Sequence, residues 1–541
     1  MASQCGRSTP ATRWPTRTPA AGGASDGAFR PWLHEGSDGA ATVEWVAGRP
    51  WSTGQVGMYG GSSPGQMQLL AAANDPDGLE AIAPMFAPSD LHRADFFQDG
   101  AMNAMAMLTW SFEAVAGETI SRLRDAGLDD ATADEARDAI DTALDDLTAA
   151  VTSRPLIDLP SRVFADVSLP ESLSPADLVP HWWTWLARPS YDAFWRAFDP
   201  EPDYGEITVP GLHVTGWHEL CQHGTLANYR GLRDRSPAPQ HLVVGPWTHG
   251  DTSGTVGSLD FGSAASADAY GVWETHLAFF ETHVRGQPRP PFADGRHVET
   301  FRTERDGGTW ERHADWPPAD AHAEQWFLRS TGAAATDPDD GGLIRTPPRK
   351  FESPDRWTHD PSDPVPTRGG PLCCGDVDAG PYDRRRVERR DDVLTYTTPP
   401  FASAVDLAGP VWADLTVATD ADDTDVVATL VHVTDGGDGP AYPLCSGIRR
   451  TRYRHGRDRE VPVPDGPIHL TVEMWDVHHR VPAGDRLRLE VASSDAPRFD
   501  PHPGTTSPWT ATDDDVRPAA QTLYHEGDRE STVTVTTAEI D

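Results

Sequence analysis

The chain has 541 residues, with 83 Asp and Glu against 45 Lys and Arg, and a formal net charge of −38. That length exceeds one compact core, so two or three domains are expected. The charge excludes nucleic acid and anionic membranes as partners, and no apolar run reaches membrane-spanning length.

In chain order, residues 1–22 are rich in Ser, Thr, Pro, Arg and Ala without periodicity and are predicted to be disordered. Gly39 to Val46 reads as a helix with Val43 and Val46 on one face. The segment Val56-Gly57-Met58-Tyr59-Gly60-Gly61-Ser62-Ser63-Pro64-Gly65-Gln66 then reads as strand, sharp turn and helix. This is the order of a nucleophile elbow, which pushes a serine Oγ out above a sheet on a strained turn. Small residues around Ser62 would let strand and helix approach closely, and Pro64 suits a first helical turn. An ordinary Gly-rich turn would look the same in isolation.

Leu79 to Met85 reads as the next strand. From Asp90 to about Glu206 the pattern turns helical, as in Asp134 to Val151, with solvated acidic faces. Such an insertion between strands predicts a helical cap. Among its aromatics, Phe96, Phe97, Trp110 and Trp182 are candidates, with Trp217, to line an acyl pocket. The core of a helical lid explains each of them equally well. Val209 to Glu219 is a further apolar run ending in a carboxylate, and His241 to Gly250 another, ending with His249. Ser, acid and His thus follow in α/β-hydrolase order at the tips of predicted strands. Ala269 to Val284 reads as a helix. From Val298 short β-like runs alternate with Gly, Pro and Asp, among them Val411 to Ala418, Val426 to Val433, Ile468 to Trp475 and Leu487 to Val491. That texture predicts a β-sandwich. Asp422-Asp423-Thr424-Asp425 lacks an EF-hand pattern and is expected to be a solvated turn, and His478-His479 to lie at the surface.

The segments GQVGMYGGSS, RPSYDAFWR, VPGLHVTGWHE, LVVGPWTHG and GDRLRLEVASSDAPRFDPHP resemble the cocaine-esterase and X-Pro dipeptidyl-peptidase family, the CocE/NonD hydrolases. The resemblance runs from about Gly23 to near the C-terminus. It implies an α/β-hydrolase with a mostly parallel sheet, a helical cap and a C-terminal jelly roll. The expected boundaries are 23–89 and 207–295 for the hydrolase, 90–206 for the cap and 296–541 for the sandwich. It implies Ser62 as nucleophile, Glu219 as acid, His249 as base and the Ser63 N–H as an oxyanion donor. Glu219 stands where the family usually has Asp, and Ser63 where it has Tyr. Members carry a longer N-terminal part with the first strands and a tyrosine that is the second oxyanion donor. Here only its tail is visible, so the sheet is expected to be incomplete there, through truncation or a mis-chosen start.

The expected activity is hydrolysis of a small ester, amide or short peptide through an acyl-enzyme, without a cofactor. X-Pro dipeptidyl-peptidase (aminopeptidase) activity is the alternative. An inactive, truncated homologue serving as a binding module is the alternative of another class. A metal hydrolase built on His213, His218, His223 and Glu219 matches no H-E-x-x-H helix. Cys5, Cys221, Cys373, Cys374 and Cys445 show no metal-type spacing, and Cys373-Cys374 predicts a loop with two free thiols. The acidic surface and single lysine, Lys350, predict a protein of a halophile. A cytoplasmic location is expected, and homo-oligomerisation is left open.

Overall fold

The computed structural model describes residues 30–539 apart from 145–146, 349–351, 374–376 and 438. The stretch expected to be disordered, 1–22, lies outside them. Helix α1 (Glu35–Ala47) buries Val43 and Val46, and Val43 packs with Leu69 and Ala72 of helix α2 (Ser63–Ala72). Strand β1 (Val56–Gly61) leads into α2 and is followed by β2 (Leu79–Met85). After the cap come β3 (Gly211–Gly216), helix α3 (Gln222–Arg235), β4 (Gln240–Gly245), helix α4 (Val272–His283) and β5 (Val298–Glu304).

The five strands pair in that order and all in parallel. β3 and β4 are buried at every residue, as the uninterrupted apolar runs require when helices cover both faces of a parallel sheet. Among the described strands β1 pairs with β2 alone. The fifth strand of this sheet lies C-terminal to position 295. β5 pairs with β4 through Leu242 and Val298, and then turns back in an antiparallel hairpin with β6 (Gly307–His313).

The cap lies between β2 and β3 as a series of short helices, with Asp130–Leu144 the longest. Its core is aromatic. Trp32, which precedes α1, inserts into it and stacks on Trp110 at 4.5 Å. The C-terminal half is an antiparallel β-sandwich whose long strands Val405–Thr419 and Ile468–Val481 pair along their length.

Three sequence-based expectations are corrected here. His478 and His479 are buried, because their strand runs on to Val481 and lies against β5. Asp423, Thr424 and Asp425 are buried rather than solvated. Asp423 accepts hydrogen bonds from Thr451 and the Arg452 N–H, and Asp425 pairs with Arg450. Cys373 is disulfide-bonded rather than free.

At the seam, Thr300 Oγ1 bonds His478 Nδ1 at 2.8 Å and His313 Nε2 at 3.0 Å, while His479 bonds Thr303 and His432. Glu311, Asp485, Arg302 and Arg305 border these imidazoles. Burial holds them neutral, His313 down to about 4, and it lowers the nearby His218 to about 4 as well. The folded state then binds fewer protons than the unfolded one. Its stability is full above the ordinary histidine value of 6.5 and is lost as pH falls from there towards about 4. Thermal melts across that range should show a falling Tm. A Tm independent of pH over the same range would contradict the seam's role.

Candidate active site

Ser62 sits between β1 and α2 at φ 62° and ψ −134°, a conformation that costs a non-glycine residue about 1–3 kcal/mol. The surrounding structure holds it. Ser62 N–H donates to Met85 O at 2.9 Å, and Gly65 N–H donates to Ser62 O at 2.7 Å. A Cβ at Gly65 would lie 2.8 Å from Ala87 Cβ, and one at Gly60 2.9 Å from Pro64 Cβ. Only glycine allows helix and strand to close this tightly, so both glycines serve the turn. Ser63 opens α2, where the first N–H groups have no intrahelical partner.

The turns after β3 and β4 are laced together. Trp217 N–H donates to Gly245 O at 2.9 Å, and His218 N–H to Trp247 O at 3.0 Å. This brings the fully buried Glu219 against His249, with Nδ1 to Oε1 at 2.5 Å. Thr215 Oγ1 donates to the other carboxylate oxygen at 3.3 Å. Burial pushes the His249 imidazole down, but the Glu219 carboxylate, with Asp95 beyond it, outweighs this and holds it above its ordinary value. Phe86, just past β2, packs 5.8 Å from the His249 ring. Ser62, Glu219 and His249 thus follow the C-terminal ends of β1, β3 and β4. Ser62 Oγ makes no hydrogen bond among the described residues.

Two neighbours had no signal in the sequence. Cys221 Sγ–H donates to Asp95 Oδ1 at 3.3 Å and also bonds Glu219. Burial pushes the Asp95 carboxyl up to about 8. Asp95 and Cys221 lie 126 positions apart, and no local pattern joins them.

The aromatic candidates part company. Phe96, Phe97, Trp110 and Trp182 pack in the cap core, with Phe97 and Trp182 fully buried. Phe96 packs on Trp110, and Phe97 on His92, Trp195 and Trp509, as in the core of a helical lid. Trp217 is directed away from the cap. Its Nε1–H donates to Phe301 O at 2.7 Å, and its ring packs on Trp316 at the seam. The histidines of the metal-hydrolase reading also scatter. His213 bonds Gln240, His218 stacks on Phe261 and His223 on Trp475, so none joins Glu219.

Residues 20–251 match the family described as X-Pro dipeptidyl-peptidase (S15 family), and residues 296–534 match the X-Pro dipeptidyl-peptidase C-terminal non-catalytic domain. Over 491 residues the chain is 33% identical to the cocaine esterase of Rhodococcus sp. (strain MB1 Bresler), covering 89% of this chain and 80% of the esterase. The chain belongs to the CocE/NonD family. Like that family it is a serine-type hydrolase of ester or amide bonds. Solved structures agree on the fold. An aminopeptidase from a Thaumarchaeota archaeon superimposes with a TM-score of 0.74 at 22% identity, covering 96% of this chain and 82% of that one. An α-amino acid ester hydrolase gives 0.72 at 21% identity, with 93% and 80% covered. The CocE/NonD hydrolase of Staphylococcus aureus gives 0.63 at 16%, with 95% and 78% covered. The family fold is an α/β-hydrolase joined to a β-rich C-terminal domain, as found here. Among the described residues no helix is long and apolar enough to cross a membrane.

Proposed function

We propose that Ser62, His249 and Glu219 form the catalytic triad of this hydrolase, and that its preferred substrates are esters whose acyl part carries no ammonium group. The observation that carries the triad is the short His249–Glu219 contact at the same C-terminal ends of the strands as the strained Ser62 turn. Serine is a weak nucleophile at neutral pH and needs a base. His249 Nε2 takes the Ser62 proton as Oγ attacks the carbonyl carbon, and returns it to the leaving oxygen. Glu219 holds the Nδ1–H tautomer and stabilises the imidazolium. The Ser63 N–H faces the developing oxyanion at the head of α2, a contact worth about 3 kcal/mol of barrier. Water then repeats the cycle on the acyl-enzyme.

His249 must be neutral to act, so activity rises with pH through its elevated pKa. Glu219→Gln removes the group that raises this pKa and leaves burial, which lowers it. The variant should lose about 10³–10⁴-fold in kcat, with the acid limb of its residual pH profile moved to lower pH. A limb that stays in place would contradict the pairing.

The substrate preference rests on the turn after Glu219. Leu220 and Cys221 pack with Ala106 in an apolar cluster, and Gln222 is tied to Asp476 O. Beyond Glu219, which His249 holds, that turn carries no carboxylate, and the neighbouring Asp95 carboxyl is pushed up by burial to about 8, so it offers no negative charge to an ammonium at neutral pH. The experiment compares kcat/KM for a phenyl ester of a simple carboxylic acid with that for Ala-Pro-p-nitroanilide. The ester should be preferred. A preference for the dipeptidyl anilide would establish the aminopeptidase reading instead.

A further inference from the structure

Glu219, Cys221 and His249 each place one donor atom within 4.8 Å of the others. A carboxylate oxygen, a sulfur and an imidazole nitrogen so arranged are a zinc-type ligand set. Glu219 and Cys221 are buried, and the His249 side chain, 23% exposed, leaves a way in from solvent. Asp95 adds a fourth oxygen. Its Oδ1 already lies 3.3 Å from Cys221 Sγ, and its Oδ2 is buried without a hydrogen-bond partner. Ligand atoms around tetrahedral zinc stand roughly 3.3–3.8 Å apart, as bond lengths of 2.0–2.3 Å dictate. The separations run from 2.5 Å between His249 Nδ1 and Glu219 Oε1 up to 4.8 Å at most, so the first pair opens and the widest closes, each by about 1 Å.

We propose that Glu219, Cys221, His249 and Asp95 form an inhibitory site for a thiophilic divalent cation of the zinc type. The cation takes the place of three hydrogens: the Cys221 S–H, the Nδ1–H that bonds Glu219, and the proton that burial keeps on the Asp95 carboxyl at neutral pH. The thiol and carboxyl protons leave to solvent. The imidazole remains neutral, but its proton moves from Nδ1 to Nε2. An Nε2 that carries a proton cannot accept one from Ser62, so the bound metal silences the base without touching the nucleophile. The oxygen-seeking cations magnesium and calcium have no use for the thiolate. The inhibitory half of the proposal rests on the triad reading above, whereas the binding half does not.

The test has two arms on the full-length protein. Cobalt(II), as a spectroscopic stand-in for zinc, should give a near-ultraviolet thiolate-to-cobalt charge-transfer band, which zinc displaces. Cys221→Ser should abolish the band, and Cys221→Ala serves the same purpose if the serine variant does not fold. Zinc, but not magnesium, should inhibit ester hydrolysis reversibly with a chelator, each variant being compared with its own metal-free rate. Loss of the thiolate should weaken zinc inhibition by at least about 10–100-fold. Absence of the band, or a band and an inhibition constant unchanged in the Cys221 variants, overturns the site. A Cys221-dependent band without inhibition overturns the inhibitory role while the metal site stands, and it leaves the triad to the Glu219→Gln pH profile.

Discussion

Ser62→Ala is expected to lower kcat/KM for ester hydrolysis by about 10⁴–10⁶-fold, because base and acid without a nucleophile retain little of the catalysis. The fold should survive. Ser62 Oγ makes no hydrogen bond among the described residues, so its loss leaves no buried partner unsatisfied. Alanine inherits the left-handed backbone and its strain, whereas Ser62→Gly relieves it. The glycine variant should therefore be as inactive as the alanine one and more stable than wild type, by about 1–3 kcal/mol. A glycine variant that is less stable would show that the elbow is not strained.

The second large effect lies where the sandwich meets the cap. Arg450 is buried and donates from Nε and Nη2 to Asp425, and from Nη2 to Asp500 at 3.0 Å. Asp500 in turn accepts the Met102 N–H of the cap at 2.8 Å. The guanidinium also lies 5.1 Å over the Trp509 ring. Arg450→Ala strips two buried carboxylates of their counter-charge, which costs about 3–5 kcal/mol. At about 2–4 °C per kcal/mol for a unit of this size, the Tm of the sandwich should fall on the order of 10 °C. Arg450→Lys keeps a positive charge but loses the forked geometry, and should lose less. Equal Tm values for wild type and Arg450→Ala, measured by calorimetry, would mean that the cluster does not hold cap to sandwich.

The elbow was legible because its constraint is local. Gly60, Ser62, Pro64 and Gly65 act within one turn, and their spacing survives in the linear sequence. The runs of β3 and β4 were legible because strands buried on both faces must be apolar throughout. What escaped detection was set by distant partners. Val298 to Glu304 has the texture of the sandwich strands, and only its parallel pairing with β4 places it in the hydrolase sheet. His478-His479 reads as polar until Thr300 and Thr303 of that same strand satisfy both imidazoles. Asp423 and Asp425 look like a solvated turn because their partners, Thr451 and Arg450, lie more than twenty residues away. The cap aromatics were legible as a cluster but not as a pocket, since sequence does not say which ring faces a substrate and which faces another ring.

The central claim is that Ser62 becomes covalently acylated with His249 as its base. The most direct measurement is mass spectrometry of the chain after reaction with a fluorophosphonate, with peptide mapping of the adduct. One adduct per chain is expected, on the peptide containing Ser62, strongly reduced in His249→Asn and absent in Ser62→Ala. Labelling of Ser62→Ala to the same extent as wild type, or an adduct mapped to another serine, would contradict it.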